Sequence, residues 1–165
     1  MNPTAIFVTA LIPLLVGAIW YNPKVLGTAW MKASGMTEEK MKGSNMLLIF
    51  GLTYLFGLFL AAILNSLVVH QNHIYSILAN EPGFGNKDSE VGIFIADFMN
   101  KYGENFRTFK HGAFHGVLSG LLLALPIIGI IALFERRSFR YIAIHTGYWI
   151  ITFTLMGGLI SWWKG

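Results

Sequence analysis

The chain has 165 residues, 55% hydrophobic and 12% charged, with a mean hydropathy of +0.58. A soluble domain carries about 25% charged residues, so this composition excludes an ordinary water-soluble fold. The net charge of +4 comes from basic residues in connecting loops with no basic face for nucleic acid. The absence of cysteine excludes disulfides, thiol catalysis, palmitoylation and thiolate metal ligands.

The charges are clustered. No Asp, Glu, Lys or Arg occurs in 1–23, 43–80, 111–134 or 141–163. A helix needs roughly 20 apolar residues to cross the hydrocarbon core. Spans are therefore expected at about 4–21, 46–69, 111–134 and 141–163, in one domain over 1–165. The fold class is an all-α membrane protein, a bundle of four transmembrane helices, with an extra amphipathic helix in the long loop between helices 2 and 3.

The first span opens on Asn2 and Pro3, read as an N-cap and a first-turn proline. The first basic residue, Lys24, follows the apolar stretch, and "GAIWYNPK" offers no small-x-small cleavage site. A retained helix is expected rather than a signal peptide. Pro13 removes a backbone donor and frees the carbonyl of Thr9, which predicts a kink. In loop 22–45, "VLGTAWMKAS" is expected in the membrane interface, with Trp30 towards the lipid and Lys32 towards water. "MTEEKMKG" has Thr37 as its cap and Glu38 and Glu39 in its first turn.

The second span carries a row of small residues, Gly57, Ala61 and Asn65, and runs out at His70, with His73 one turn beyond. Within loop 70–110, apolar residues at Val91, Phe94, Ile95, Phe98, Met99 and Tyr102 recur with helical period. Ser89 is the expected cap and Gly103 the stop, giving an amphipathic helix over about 89–103 on the membrane surface or over the bundle.

The third span opens "FKHGAFHGVLSGLLLALP". Residues four apart on a helix differ by about 40° in azimuth, so Gly112, Gly116, Gly120 and Ala124 form one stripe of small residues. Such a stripe predicts close helix packing, against this chain or another copy. Pro126 should kink this helix and free the carbonyl of Leu122. Pro13 and Pro126 each precede the aromatic closing their span by eight residues, and "IPLLVGAIWY" and "LPIIGIIALF" read as traces of a duplication. Interrupted helices in matching positions point towards transporter binding sites.

His111 and His115 lie one turn apart, and an antiparallel neighbour brings His70 level with His111. His70, His73, His111 and His115 are therefore expected at one mouth of the helix pair. One reading has them bonded to headgroups, water or Asn65. Another has them ligate a transition metal, zinc, copper or iron, as imidazoles at helical spacing do. Bis-histidine haem ligation is a further reading. No carboxylate lies in either span, so Glu81 or Asp88 would have to fold back to complete a mixed set. In the turn before the fourth span, Glu135 is expected to pair with Arg136, Arg137 or Lys24. His145, one turn inside that span, reads either as a satisfied polar contact or, with Glu135 and Asn65, as part of a polar or proton site.

Loops 22–45 and 135–140 hold seven basic residues (Lys24, Lys32, Lys40, Lys42, Arg136, Arg137, Arg140). The other side holds five (Lys87, Lys101, Arg107, Lys110, Lys164). Short basic loops favour the cytoplasm, which puts both termini and the long loop outside, in an inner-membrane setting. Trp20, Tyr21, Phe134, Phe139, Tyr141 and Trp149 would ring the inner interface, and Trp162 and Trp163 the outer one.

"GAIWYNPKVLGTAWMKASGMTEE" at 17–39, "LFERRSFRY" at 133–141 and "HTGYWIITFTLMGGLISWW" at 145–163 together resemble the bacterial membrane-protein family called domain of unknown function 1761. The resemblance implies four helices in a membrane and carries over no catalytic residue. The chain shows no Ser-His-Asp arrangement, phosphate loop or intramembrane carboxylate pair. The expected function is non-enzymatic: a helical module that self-associates or serves as an accessory subunit of a membrane complex. A small-solute or proton/ion transporter with kinked helices 1 and 3 is the alternative, and a histidine-based metal-binding protein the second alternative.

Overall fold

The computed structural model describes residues 3–163; the expected cap at Asn2 lies outside them. Among the described residues there are helices and turns and no strand. Four helical stretches, Pro3–Trp20, Met46–Val68, Phe109–Phe134 and Phe139–Trp162, are long and apolar enough to cross a membrane, as an integral membrane protein requires.

The first span is two helices, α1 (Pro3–Thr9) and α2 (Ile12–Trp20), separated by a turn at Ala10 and Leu11. Pro13 stands in the first turn of α2, where its missing donor costs nothing. A π-turn at Pro23–Gly27, capped by the Asn22 side chain, leads into α3 (Thr28–Ser34). The stretch expected at the interface is thus helical, and Trp30 sets its ring edge-on to Tyr21 with centroids 5.3 Å apart. The short α4 (Glu38–Met41) starts at Thr37, whose hydroxyl accepts from the Lys40 amide.

Helix α5 (Met46–Val68) is the second span, and Asn45 caps it by accepting from the Leu48 amide. A short α6 (Asn72–Ile77), not foreseen from the sequence, follows immediately. Six residues are too few for an apolar period to show. The amphipathic α7 (Glu90–Tyr102) begins at Ser89, which accepts from the Gly92 amide.

The third span is α8 (Phe109–Ser119), a π-turn at Gly120–Ala124 and α9 (Leu125–Phe134). The Leu125 amide donates to the Gly120 carbonyl, five residues back. This wider turn stands directly before Pro126, whose missing amide interrupts the regular hydrogen-bond ladder. Helix α10 (Phe139–Trp162), capped by Ser138, is the fourth span.

Helix α10 is the centre of the bundle. Half of its most apolar window is buried inside the protein, against 17% for α5. The two also differ in mean hydropathy, 1.3 against 2.5. A helix wrapped by protein can carry Thr146, Thr152 and Ser161 among its buried residues, whereas a helix facing lipid cannot. Met156, Ile160, Ala61, Leu64 and Val68 form the core between α10 and α5. Phe7, Leu15, Leu47, Phe56, Leu122 and Phe134 are exposed at membrane-spanning positions, where hydrocarbon solvates them.

The glycine stripe faces α10. A Cβ on Gly112 would overlap the Gly157 carbonyl, and one on Gly116 would overlap the Phe153 carbonyl and stand 2.6 Å from the Thr154 Cα. A Cβ on Gly120 would lie 2.7 Å from the Ile150 Cα, and Ala124 is buried next in the row. The stripe's partner is thus this chain's own fourth span. In the second helix's row, Gly57 lies against the Ala10 carbonyl at the break in the first span.

Candidate metal centre

The face at which α1 begins and α10 ends, here the terminal face, carries four of the five histidines, His70, His73, His111 and His115. Helix α5 stops at Val68, and Val69 leaves helical geometry while its amide still donates to the Asn65 carbonyl. The turn to α6 then presents His70 sideways. Thr108 caps α8 by accepting from the His111 amide, which fixes His111 in the first turn and His115 on the same face one turn deeper.

The three imidazoles converge. Ring centroids lie 4.9 Å apart for His70 and His111, 5.0 Å for His70 and His115, and 4.6 Å for His111 and His115. One ring nitrogen from each comes within 4.8 Å of the others. The Nε2 atoms of His70 and His111 are 2.9 Å apart, so between neutral rings one Nε2–H donates to the other's lone pair. Nitrogens bound tetrahedrally to one zinc at about 2.0–2.1 Å stand about 3.4 Å apart. The three rings are already near that spacing.

His70 is exposed and the other two are half-buried. Partial burial, reinforced by His115 and His73, holds the His70 imidazole below its ordinary pKa. It is therefore neutral near pH 7, the form that ligates metal. Phe106 and Phe114 flank the rings, with centroids 5.1 Å from His111 and 5.8 Å from His115. Phe106 has a backbone φ of 61°, a left-handed conformation that is costly for a bulky residue. Its carbonyl accepts from the Ser161 hydroxyl, which helps hold it there. Neither phenylalanine stands out in the sequence, since aromatics abound throughout; only the φ of Phe106 marks it.

His73 is not part of the cluster, correcting the expected group of four. Its Nε2 lies 3.1 Å from the Ser66 carbonyl, so the ring folds back over the end of α5. Among the described residues no carboxylate joins the three histidines, so neither Glu81 nor Asp88 completes the set.

The expected polar or proton site comes apart into three places. Glu135 pairs with Arg137 at 3.2 Å, rather than with Arg136, Lys24 or His145, and Arg137 also donates to the Ser34 carbonyl. The Nδ1 of His145 is 3.0 Å from the Tyr21 hydroxyl, at the face opposite the terminal one, and the Tyr141 ring lies 4.3 Å away. Asn65 is buried at the terminal end of α5. The kinks meet different surroundings as well. The Tyr148 hydroxyl donates to the Pro13 carbonyl at 2.9 Å. Beside Pro126, a cavity of about 320 Å³ is walled by apolar side chains such as Leu60, Ile63, Leu123, Ile127 and Trp149.

Residues 4–161 match the family described as protein of unknown function (DUF1761). The chain belongs to this family. The match runs from the first turn of α1 almost to the end of α10 and so takes in all three histidines, although the family description assigns them no role. No curated protein and no solved structure matches the chain.

Proposed function

We propose that this member of the DUF1761 family is a membrane protein that binds one divalent transition metal, zinc or copper, through His70, His111 and His115. The convergence of three imidazole nitrogens within 4.8 Å carries this reading. Three neutral nitrogen donors suit zinc and copper better than the oxygen-preferring magnesium or calcium. A three-histidine set leaves a coordination position for water or another ligand. Haem is disfavoured: the rings are packed edge to face with centroids under 5.1 Å apart, which leaves no room for a macrocycle between them.

The other readings have less support. Association with another copy or a larger complex through the glycine stripe conflicts with that stripe's use inside the chain. Transport through the proline-kinked helices needs a polar path, whereas the cavity beside Pro126 is apolar. For orientation, the basic bias of the short loops puts the terminal face, and with it the metal centre, outside a bacterial inner membrane. A reporter fused within 82–90 should read as extracytoplasmic; a cytoplasmic signal there reverses the topology without touching the metal reading.

Elemental analysis tests the proposal. Purified protein incubated with zinc or copper and then desalted should retain about one metal atom per chain. The combined His70→Ala, His111→Ala and His115→Ala variant should retain none. Equal metal content in the two proteins would refute it.

A further inference from the structure

A second site lies at the terminal face, between the start of α1, the end of α5, the start of α6 and the segment before α8. It is a pocket of about 100 Å³ whose walls include Ala5, Asn65, Gln71, Asn72, Arg107 and Ile160. Asn65 is 6% exposed, and its Nδ2 is buried without a hydrogen-bond partner. The Nδ2 of Asn72 is buried and unpartnered as well. Two unpartnered amide donors on residues that line one small pocket represent an unmet demand for acceptor oxygens, because a buried N–H without an acceptor carries its full desolvation cost.

The third polar wall is cationic. Arg107 donates from Nε to the Ser161 carbonyl at 2.9 Å and from Nη2 to the Trp163 carbonyl at 2.6 Å. These bonds use two of the five guanidinium N–H groups and hold the side chain at the pocket wall. Gln71 donates from Nε2 to the carbonyls of Tyr102 and Asn105, tying the end of α7 and the segment after it to the same wall. Among the described residues no carboxylate lines the pocket. Its walls combine one fixed positive charge with two free amide donors, and they are braced by bonds between distant parts of the chain.

We propose that this pocket binds a small oxyanion of carboxylate or phosphate type, whose oxygens accept from Asn65 Nδ2, Asn72 Nδ2 and the Arg107 guanidinium. A guanidinium and unpartnered amide N–H groups on the walls of one small pocket suit charge-assisted bonds to such a group. A cation finds no acceptor charge among the described walls, and an apolar ligand would leave both amides unpaired. The same chemistry is offered by a free anion in the aqueous phase and by the phosphodiester of a lipid headgroup, since the pocket lies at the end of the spanning helices. The site shares no residue with the three-histidine cluster and stands whether or not that cluster holds metal.

Asn65→Asp and Asn72→Asp keep the side-chain shape but place a negative charge in the pocket. Purified protein in detergent is titrated with inorganic phosphate at constant ionic strength, and its melting temperature is followed. The same proteins are then compared in nanodiscs of phosphatidylglycerol and of an uncharged galactolipid. Phosphate should raise the native melting temperature with saturation, and each variant should need at least about tenfold more phosphate. Stabilisation by phosphatidylglycerol alone, lost in the variants, supports the same site with a lipid as the source. The proposal fails if the native protein responds to neither probe, or if the variants respond as the native protein does; water would then be the only partner of the amides. Should one variant not fold, the other decides.

Discussion

Two regions of the molecule hold histidines inside or beside spanning helices, and they differ in what surrounds the ring. At the terminal face His70, His111 and His115 present nitrogens to one another. At the opposite face His145 meets the Tyr21 hydroxyl and lies against the Tyr141 ring. The first arrangement gathers lone pairs around a point. The second gives one imidazole a hydroxyl partner and aromatic walls, which positions a ring and brings no second ligand. A histidine near a helix end thus becomes a candidate ligand only when a neighbouring chain segment supplies others, and here that segment is the turn after α5.

The largest effect that would sharpen this contrast is on metal affinity. His115→Ala should weaken zinc binding by at least about a hundredfold, since loss of supporting bonds to a ligand alone costs 10–100-fold. His145→Ala should leave it unchanged. Isothermal titration checks both, and equal losses would erase the distinction.

The next effect is on the seam that holds two of the three ligands. Gly116→Leu forces a side chain into the Phe153 carbonyl and the Thr154 Cα. Overpacking of this kind costs about 1–3 kcal/mol or more, a fall in melting temperature of about 5 °C for a chain of this size. Thermal unfolding in detergent should show a larger fall than for Leu118→Ala. Metal affinity should fall with it, because α8 would tilt His111 and His115 away from His70.

A smaller effect comes from protons. The His70 imidazole is held below its ordinary pKa, mainly by burial, so protons compete with metal only on the acid side of that value. Zinc affinity should be flat from pH 8 down to about 6.5 and fall below it. The linkage has the same direction for stability. A histidine with a lowered folded pKa loses stability as pH drops through its unfolded value, because the unfolded chain then binds more protons. Titrations at several pH values check the affinity, and a rise in acid would contradict the site.

The smallest effect belongs to the other region. Tyr21→Phe removes the hydroxyl that meets His145 and should cost about 1–2 kcal/mol of stability with no change in metal binding. A change in metal content would mean that the two faces are coupled.

Much of the architecture was legible in the sequence. Absent charges marked the four apolar spans, and the small-residue period marked the face of the third helix that packs closely. The stripe at Gly112, Gly116 and Gly120 did not reveal its partner, because a small face is equally open to any backbone; the carbonyls of Gly157 and Phe153 supply that answer. The proline positions located the irregular turns without their form. Pro126 follows a π-turn, whereas the chain at Pro13 breaks into two helices. The histidine site was partly legible. Helical spacing joined His111 to His115 and the antiparallel hairpin added His70, but His73 depended on the direction of the turn after Val69. Asn65, expected near the level of His115 and grouped with Glu135 and His145 only as a candidate polar residue, lines the proposed anion pocket, whose Arg107 comes from a loop that sequence periodicity does not position.

X-ray absorption spectroscopy of the zinc-loaded protein addresses the metal centre most directly. The account predicts a nitrogen shell at about 2.0 Å with the outer scattering of three imidazole rings, reduced to two rings in His70→Ala. A shell of oxygen alone, or an unchanged spectrum in that variant, would contradict it.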